Sequence, residues 1–485
     1  MNRELKRVAI VVFVMFMALF VATSIIQVVQ ADNLAADGRD TRVLYDSYKA
    51  RRGPILVDGL PVAESLPVTD DYRYQRTYTE PLLFAQTTGY FSLNQGVTGI
   101  EGSMNSYLTG NSGSQFLDQL SAILTGRPVT GASVSLTLDK KVQKAAWDAL
   151  AGYQGAVIVT EVDTGKILAM VSKPSYNPNL LASHDADTVL AEYNKLLRDP
   201  TSPLINRTID GKLNPPGSVF KLVVTAAALE SGRYTPESTF PNPSSLRLPG
   251  TDSIVKNSSR TTCGPGKTVT LADALRLSCN IPFAELGMQL GGKAILDQAE
   301  KFGFNQTFEI PMRVEASVFP QFLDEPQTGL ASFGQFDDRA TPLQIAMVSM
   351  AIANGGKLMY PTVIESVTSA DLKPLKSFSA REYGQPISAQ TAATMTQMMV
   401  NGVNTGAASN ARISGVAVAG KTGTAENGST NPYTLWFTGF APAAGSHKYA
   451  ITVLVENGGG MGQNGYGNLI AAPVAKKVLE AVLNK

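Results

Sequence analysis

The chain has 485 residues, enough for about two or three domains. Hydrophobic residues make up 44% and charged residues only 17%, with a net charge of +1 and no basic tract, which argues against a nucleic-acid partner. Two histidines (His184 and His447) and two cysteines form no ligand cluster of recognisable spacing, and there is no glycine-rich phosphate loop, so no metal and no cofactor is expected.

Arg3, Lys6 and Arg7 precede an uncharged stretch, residues 8–26, broken only by Thr23 and Ser24. Its length suits a helix that crosses a bilayer once, and the leading cations keep the N-terminus in the cytoplasm and the rest outside. A cleaved signal peptide ending at Val29-Gln30-Ala31 is the alternative, but the apolar stretch exceeds the ~7–15 residues usual for one. Residues 1–31 are therefore read as a cytoplasmic tip and transmembrane anchor.

Residues 32–130 contain Arg51-Arg52-Gly53-Pro54 and Gly99-Ile100-Glu101-Gly102 in polar, tyrosine-rich sequence. No pattern there is long enough to predict a solid core. A small pedestal packed partly on the following domain is expected.

Composition changes at Gly131. Residues 133–139 alternate as a strand, 140–150 read as a helix, and 155–172 read as a hairpin turning at Asp163-Thr164-Gly165. Residues 184–410 carry mostly helical pattern, with the clearest helices starting at Ser218 and Pro342. Near the end, 434–441 and 449–455 are strands and 470–483 an amphipathic helix. An α+β domain over 131–485 follows: an antiparallel sheet built from both chain ends, with a helical insertion between.

Three short motifs fall in that domain. Ser218-Val219-Phe220-Lys221 follows Asn214-Pro215-Pro216-Gly217 and opens an apolar run closed by Gly232, so Ser218 sits at a helix start with Lys221 one turn on. Ser278-Cys279-Asn280 interrupts a helical pattern over 270–287. Lys421-Thr422-Gly423-Thr424 follows a β-leaning run, 416–419. Singly these are weak. S-x-x-K recurs at Ser253, in a turn-rich stretch where a plain loop serine is expected, and S-x-N occurs five times, the others reading as caps or turns. K-[ST]-G occurs once. The discrimination lies in the order of the three and in their local context.

If the chain is exported, Cys263 and Cys279 can form a disulfide. It would tie the Ser278 region to the preceding loop and contribute up to ~3 kcal/mol in the chain-entropy picture; two free thiols are the alternative.

In that order, S-x-x-K, S-x-N and K-T-G are the set of penicillin-binding proteins and serine β-lactamases. The chain resembles the class B (monofunctional) penicillin-binding proteins over nearly its whole length, most closely the actinobacterial type called penicillin-binding protein A. Further similar segments are Gly155-Ala156-Val157, Pro174-Ser175-Tyr176-Asn177-Pro178-Asn179, Thr341-Pro342-Leu343-Gln344-Ile345-Ala346, Ala353-Asn354-Gly355-Gly356, and the pedestal's Arg51-Arg52-Gly53 and Gly99-Ile100-Glu101. There are two departures. The pedestal is short, and Gly334-Gln335-Phe336 stands where the family often has Gly-Gln-Gly.

The resemblance implies a transpeptidase fold and a peptidoglycan D,D-transpeptidase that β-lactams acylate, acting in cell wall synthesis, division and shape. Ser218 would attack the D-Ala-D-Ala carbonyl and expel the last D-Ala, and a second stem peptide's amine would resolve the ester. Lys221 is the expected base, its pKa lowered by burial and by Lys421. Ser278 would relay a proton, and Asn280 would hold Lys221 and bind the substrate amide. The backbone N–H groups of Ser218 and Thr424 would form the oxyanion hole. Thr422 and Thr424 would take the terminal carboxylate, and Gly423 would keep the strand open for peptide pairing. A membrane glycosyltransferase or divisome partner is implied by the resemblance alone. The rival readings are a D,D-carboxypeptidase or β-lactamase and a non-catalytic scaffold.

Overall fold

The computed structural model describes residues 2–30, 50–70, 72–115, 130–445 and 448–484. His447, Ala31 of the alternative cleavage site, and 32–49 and 116–129 of the expected pedestal lie outside the described residues. At the N-terminus, the helix Asn2–Ser24 runs on into a π-helical turn, Ile25–Val29, and residues Arg3–Gln27 are long and apolar enough to cross a bilayer.

A five-stranded antiparallel sheet carries the catalytic half. Its order is Ala419–Ala425, Thr434–Ala441, Tyr449–Val455, Gly155–Glu161, Ile167–Lys173. The two ends of the domain thus meet where Tyr449–Val455 pairs with Gly155–Glu161, as the sequence pattern requires. Val157, Val159, Leu435, Phe437, Ile451 and Val453 turn one way, onto a cluster that includes Val142 and Ala146 of the helix Lys140–Leu150 and Val478 and Leu479 of the helix Ala471–Leu483. Ala156, Ile158, Trp436, Phe440 and Leu454 turn the other way, into the main core. A strand covered on both faces reads as a near-continuous apolar run, which is why these segments stand out in the sequence.

The helix Pro342–Ala353 is buried along its whole length. Thr341 caps it, accepting from the Gln344 N–H at 3.1 Å, and Pro342 occupies the first turn, where its missing N–H costs nothing. Its Ser349 hydroxyl is 2.7 Å from that of Thr438, which fixes the helix against the sheet.

The segment before residue 131 is more regular than its sequence suggests. Strands Ile55–Val57, Leu60–Pro67 and Tyr74–Tyr78 join a six-stranded sheet with Ser133–Leu136, Ile364–Thr368 and Pro374–Ser377. Ile55–Val57 pairs in parallel with Ser133–Leu136, so main-chain bonds cross the composition change at 131. Residues 364–377 are also a correction to the helical reading of 184–410: this hairpin leaves the helical region to complete the sheet. Beneath the sheet, Glu101 accepts from Arg52 Nε at 2.5 Å and from Arg76 Nε at 2.6 Å, with all three side chains buried.

Candidate active site

Pro215 and Pro216 lead into a 3-10 turn, Gly217–Val219, and the α-helix Lys221–Glu230 follows. Ser218 therefore lies in the tight turn before the helix, and Lys221 is the helix's first residue. The Trp436 indole N–H donates to the Pro215 carbonyl at 2.9 Å, tying this turn to the sheet. A Cβ on Gly334, whose φ is +75°, would meet the Gly217 carbonyl oxygen at 2.2 Å. Only glycine allows that backbone to lie against the nucleophile turn.

The helix Leu271–Leu277 ends at Ser278, in the left-handed region at φ +62°, and the helix Ile281–Leu290 begins after Asn280. A non-glycine residue there costs about 1 kcal/mol, so neighbours must hold it. The Cys263–Cys279 disulfide is formed, with the Cα atoms 5.7 Å apart, and it grips the middle of this turn.

The three motifs converge in one cleft of about 770 Å³ that Ser218, Ser278, Asn280, Thr422, Gly423 and Thr424 help to line. Lys221 Nζ donates to Ser218 Oγ at 2.9 Å, to the Ser278 carbonyl at 2.8 Å and to Asn280 Oδ1 at 2.8 Å. Lys421 Nζ donates to Ser278 Oγ at 2.5 Å and to the Thr422 carbonyl at 2.8 Å. Both ammonium groups are buried, and every partner just named is a neutral oxygen. Burial holds the Lys221 pKa well below the ordinary lysine value, and the charge of Lys421 lowers it further. Burial alone brings Lys421 down to about 7.

The threonines differ. The Thr422 hydroxyl donates to the Ala407 carbonyl at 2.9 Å, whereas the Thr424 hydroxyl accepts from the Gly467 N–H at 3.1 Å and keeps its own proton available. At Gly423 a Cβ would meet the Pro216 carbonyl at 3.0 Å and Val219 Cγ1 at 3.2 Å. The glycine thus lets the strand sit close on the nucleophile turn, a packing reason besides the openness expected from sequence. Ser253 is exposed at the cleft wall, and its would-be partner Lys256 contributes a carbonyl rather than an ammonium, accepting from Asn280 Nδ2 at 2.9 Å.

Gln335, in the Gly334-Gln335-Phe336 departure, has no role legible in the sequence. Its Nε2 donates to the Thr424 carbonyl at 3.4 Å and its Oε1 accepts from the Glu426 N–H at 3.3 Å, bracketing the end of the Ala419–Ala425 strand. Phe336 packs against the main core.

A serine held by a buried lysine, with a second lysine and a bridging hydroxyl beside it, defines a serine acyltransferase site that works without histidine. Residues 155–480 match the penicillin binding protein transpeptidase domain, and residues 52–134 match the penicillin binding protein A dimerisation domain. The chain belongs to the penicillin-binding transpeptidase family. It is 38% identical to the peptidoglycan D,D-transpeptidase PbpA of Mycolicibacterium smegmatis over 494 aligned residues, covering 100% of both chains. With PbpA of Mycobacterium tuberculosis it shares 37% identity over 492 residues, 100% of this chain and 99% of that one. Among solved structures, the ceftriaxone acyl-enzyme of M. tuberculosis penicillin-binding protein A superposes with a TM-score of 0.87 at 36% identity, over 90% of this chain and 100% of that one.

Proposed function

We propose that this protein is a peptidoglycan D,D-transpeptidase, anchored by its N-terminal helix with the catalytic domain outside the membrane, and acylated by β-lactams at Ser218. The observation that carries this reading is the 2.9 Å contact between Ser218 Oγ and a Lys221 ammonium that has no carboxylate among its hydrogen-bond partners. A lysine so buried gives up its proton readily and can accept the one that leaves serine.

The sequence of steps follows. Neutral Lys221 takes the Ser218 hydroxyl proton as Oγ bonds to the carbonyl carbon of the D-Ala-D-Ala peptide. The backbone N–H groups of Ser218 and Thr424 receive the oxyanion, each such donor being worth about 10²–10³ in rate. The C–N bond then breaks. Lys221 returns its proton through Ser278 Oγ to the departing D-Ala amine, with Lys421 holding that hydroxyl in line. An amine from a second stem peptide enters the same position, gives up a proton by the reverse route, and displaces Ser218 to form the cross-link. Thr424 donates to the terminal carboxylate, Thr422 joins after turning from Ala407, and Lys421 supplies the positive field. Asn280 keeps Lys221 aimed at Ser218.

Transfer is favoured over hydrolysis by the scarcity of carboxylates among the described residues of the cleft. Among the described residues lining the cleft, Glu426 is the one acid; it is exposed, just beyond the Ala419–Ala425 strand. A membrane glycosyltransferase would supply the glycan, and roles in division and shape belong to this reading. Labelled penicillin followed by intact-mass analysis tests it. One adduct on the wild type and none on Ser218→Ala is expected; no adduct on the wild type, or its persistence on the variant, overturns the assignment.

A further inference from the structure

The Ser278–Asn280 turn is held from outside by a residue with no part in the three motifs. Asn257 is buried, on the segment after the strand Ile254–Val255. Its Oδ1 accepts from the backbone N–H of Asn280 at 2.9 Å and of Ile281 at 3.1 Å. Those are the leading N–H groups of the helix Ile281–Leu290, whose own N-cap residue, Asn280, makes no side-chain cap bond. Asn257 thus caps that helix from another part of the chain. Its Nδ2 donates to the Thr261 carbonyl at 3.0 Å, which fixes the amide orientation.

The neighbouring Lys256 carbonyl completes the arrangement by accepting from Asn280 Nδ2 at 2.9 Å. An amide has one donor end and one acceptor end. With Nδ2 engaged by Lys256, Asn280 must present Oδ1 to Lys221, at 2.8 Å. The line of contacts therefore runs from Asn257 to the Asn280 backbone, through the Asn280 amide to Lys221 Nζ, and on to Ser218 Oγ.

We propose that Asn257 is a positioning residue for acyl transfer: it sets the site and rotamer of Asn280 and so keeps Lys221 aimed at Ser218. The proposal rests on the reading of Lys221 as the base. Asn257 lies at the cleft wall but its hydrogen bonds go to the Asn280 and Ile281 N–H groups and the Thr261 carbonyl, none of them a reacting atom; its contribution lies in the chemical step rather than in the first, non-covalent encounter.

The test uses the full-length membrane protein and a fluorescent penicillin, with rapid kinetics that separate non-covalent affinity from the acylation rate constant. Asn257→Ala removes the acceptor and leaves one buried and one part-buried N–H group without that partner, and the acylation constant should fall about tenfold or more with affinity little changed. Asn257→Asp keeps an acceptor at the helix start, where negative charge is favoured, and should bring the constant back to within about threefold of wild type. An unchanged acylation constant in the alanine variant overturns the proposal, as does an aspartate variant no faster than alanine. If the alanine variant does not fold, aspartate alone decides: within about threefold supports the proposal, and a slower rate overturns it. Failure of the wild type to acylate at all would instead sink the functional reading itself.

Discussion

Two of the groups of buried charge among the described residues are handled in opposite ways. Beneath the six-stranded sheet, Arg52 and Arg76 converge on Glu101, and a carboxylate answers the guanidiniums. In the cleft, Lys221 and Lys421 are buried as deeply with only neutral oxygens as hydrogen-bond partners. Burial alone would raise the Glu101 pKa, but Arg76 and Arg52 outweigh it and hold the carboxyl below its ordinary range. With no such answer, the lysines have theirs brought down, one of them to about 7. Compensated charge fixes a shape, whereas uncompensated charge becomes a proton carrier.

The contrast can be broken at either end. Lys221→Met should lower penicillin acylation by about 10³-fold, read by rapid labelling, because among the described residues Lys221 is the basic group in contact with Ser218 Oγ. The same variant should melt no lower than wild type, since a methionine of similar length relieves an uncompensated buried ammonium. A large drop in melting temperature would show that Lys221 stabilises the fold as the Glu101 group does. Glu101→Gln should behave in the reverse manner. It leaves two guanidiniums facing one neutral amide, and denaturant unfolding should show a loss of about 3–5 kcal/mol. Protein that remains folded should still acylate normally.

The pH dependence of stability follows from the direction of the Glu101 shift. A carboxyl with a depressed folded pKa stabilises fully above its unfolded value, about 4.3, and loses that contribution as acid protonates it in the folded state. Melting curves below that pH should therefore separate wild type from Glu101→Gln less and less.

Two smaller effects sharpen the comparison inside the cleft. Replacing both Cys263 and Cys279 by serine should cost up to ~3 kcal/mol of stability for a bridge spanning 16 residues, with a modest slowing of acylation as the Ser278 turn loosens. Lys421→Met removes a positive neighbour from Lys221, so the Lys221 pKa rises and the acid limb of the acylation profile moves to higher pH. A limb that stays in place or moves down would show that burial alone sets Lys221.

Much of the catalytic half was legible because its signals are local. The strands at 155–173, 434–441 and 449–455 are apolar on both faces, and the helices at Lys140–Leu150 and Pro342–Ala353 begin at Asp139 and Thr341, each a capping side chain. The Ser218 and Lys221 pair is readable for the same reason, being one helical turn apart. What escaped was non-local. Leu60–Pro67 has no pattern strong enough to read alone, and it becomes a strand because Tyr74–Tyr78 and Ile55–Val57 flank it. Glu101 and Arg52 stand 49 residues apart, and nothing in either segment announces the pair. Asn257 looks like any loop asparagine until the helix it caps, 24 residues on, is in place.

The parallel pairing of Ile55–Val57 with Ser133–Leu136 has a practical side. Anyone trimming the chain at residue 131 to obtain a stand-alone catalytic fragment would strip a partner from Ser133–Leu136 in the interior of a sheet. The bared rim would present unsatisfied amide groups and apolar Val134 and Leu136 to any other extended chain, an invitation to clump. Soluble fragments should instead begin ahead of Arg51, so that the first three strands travel with the enzyme they complete.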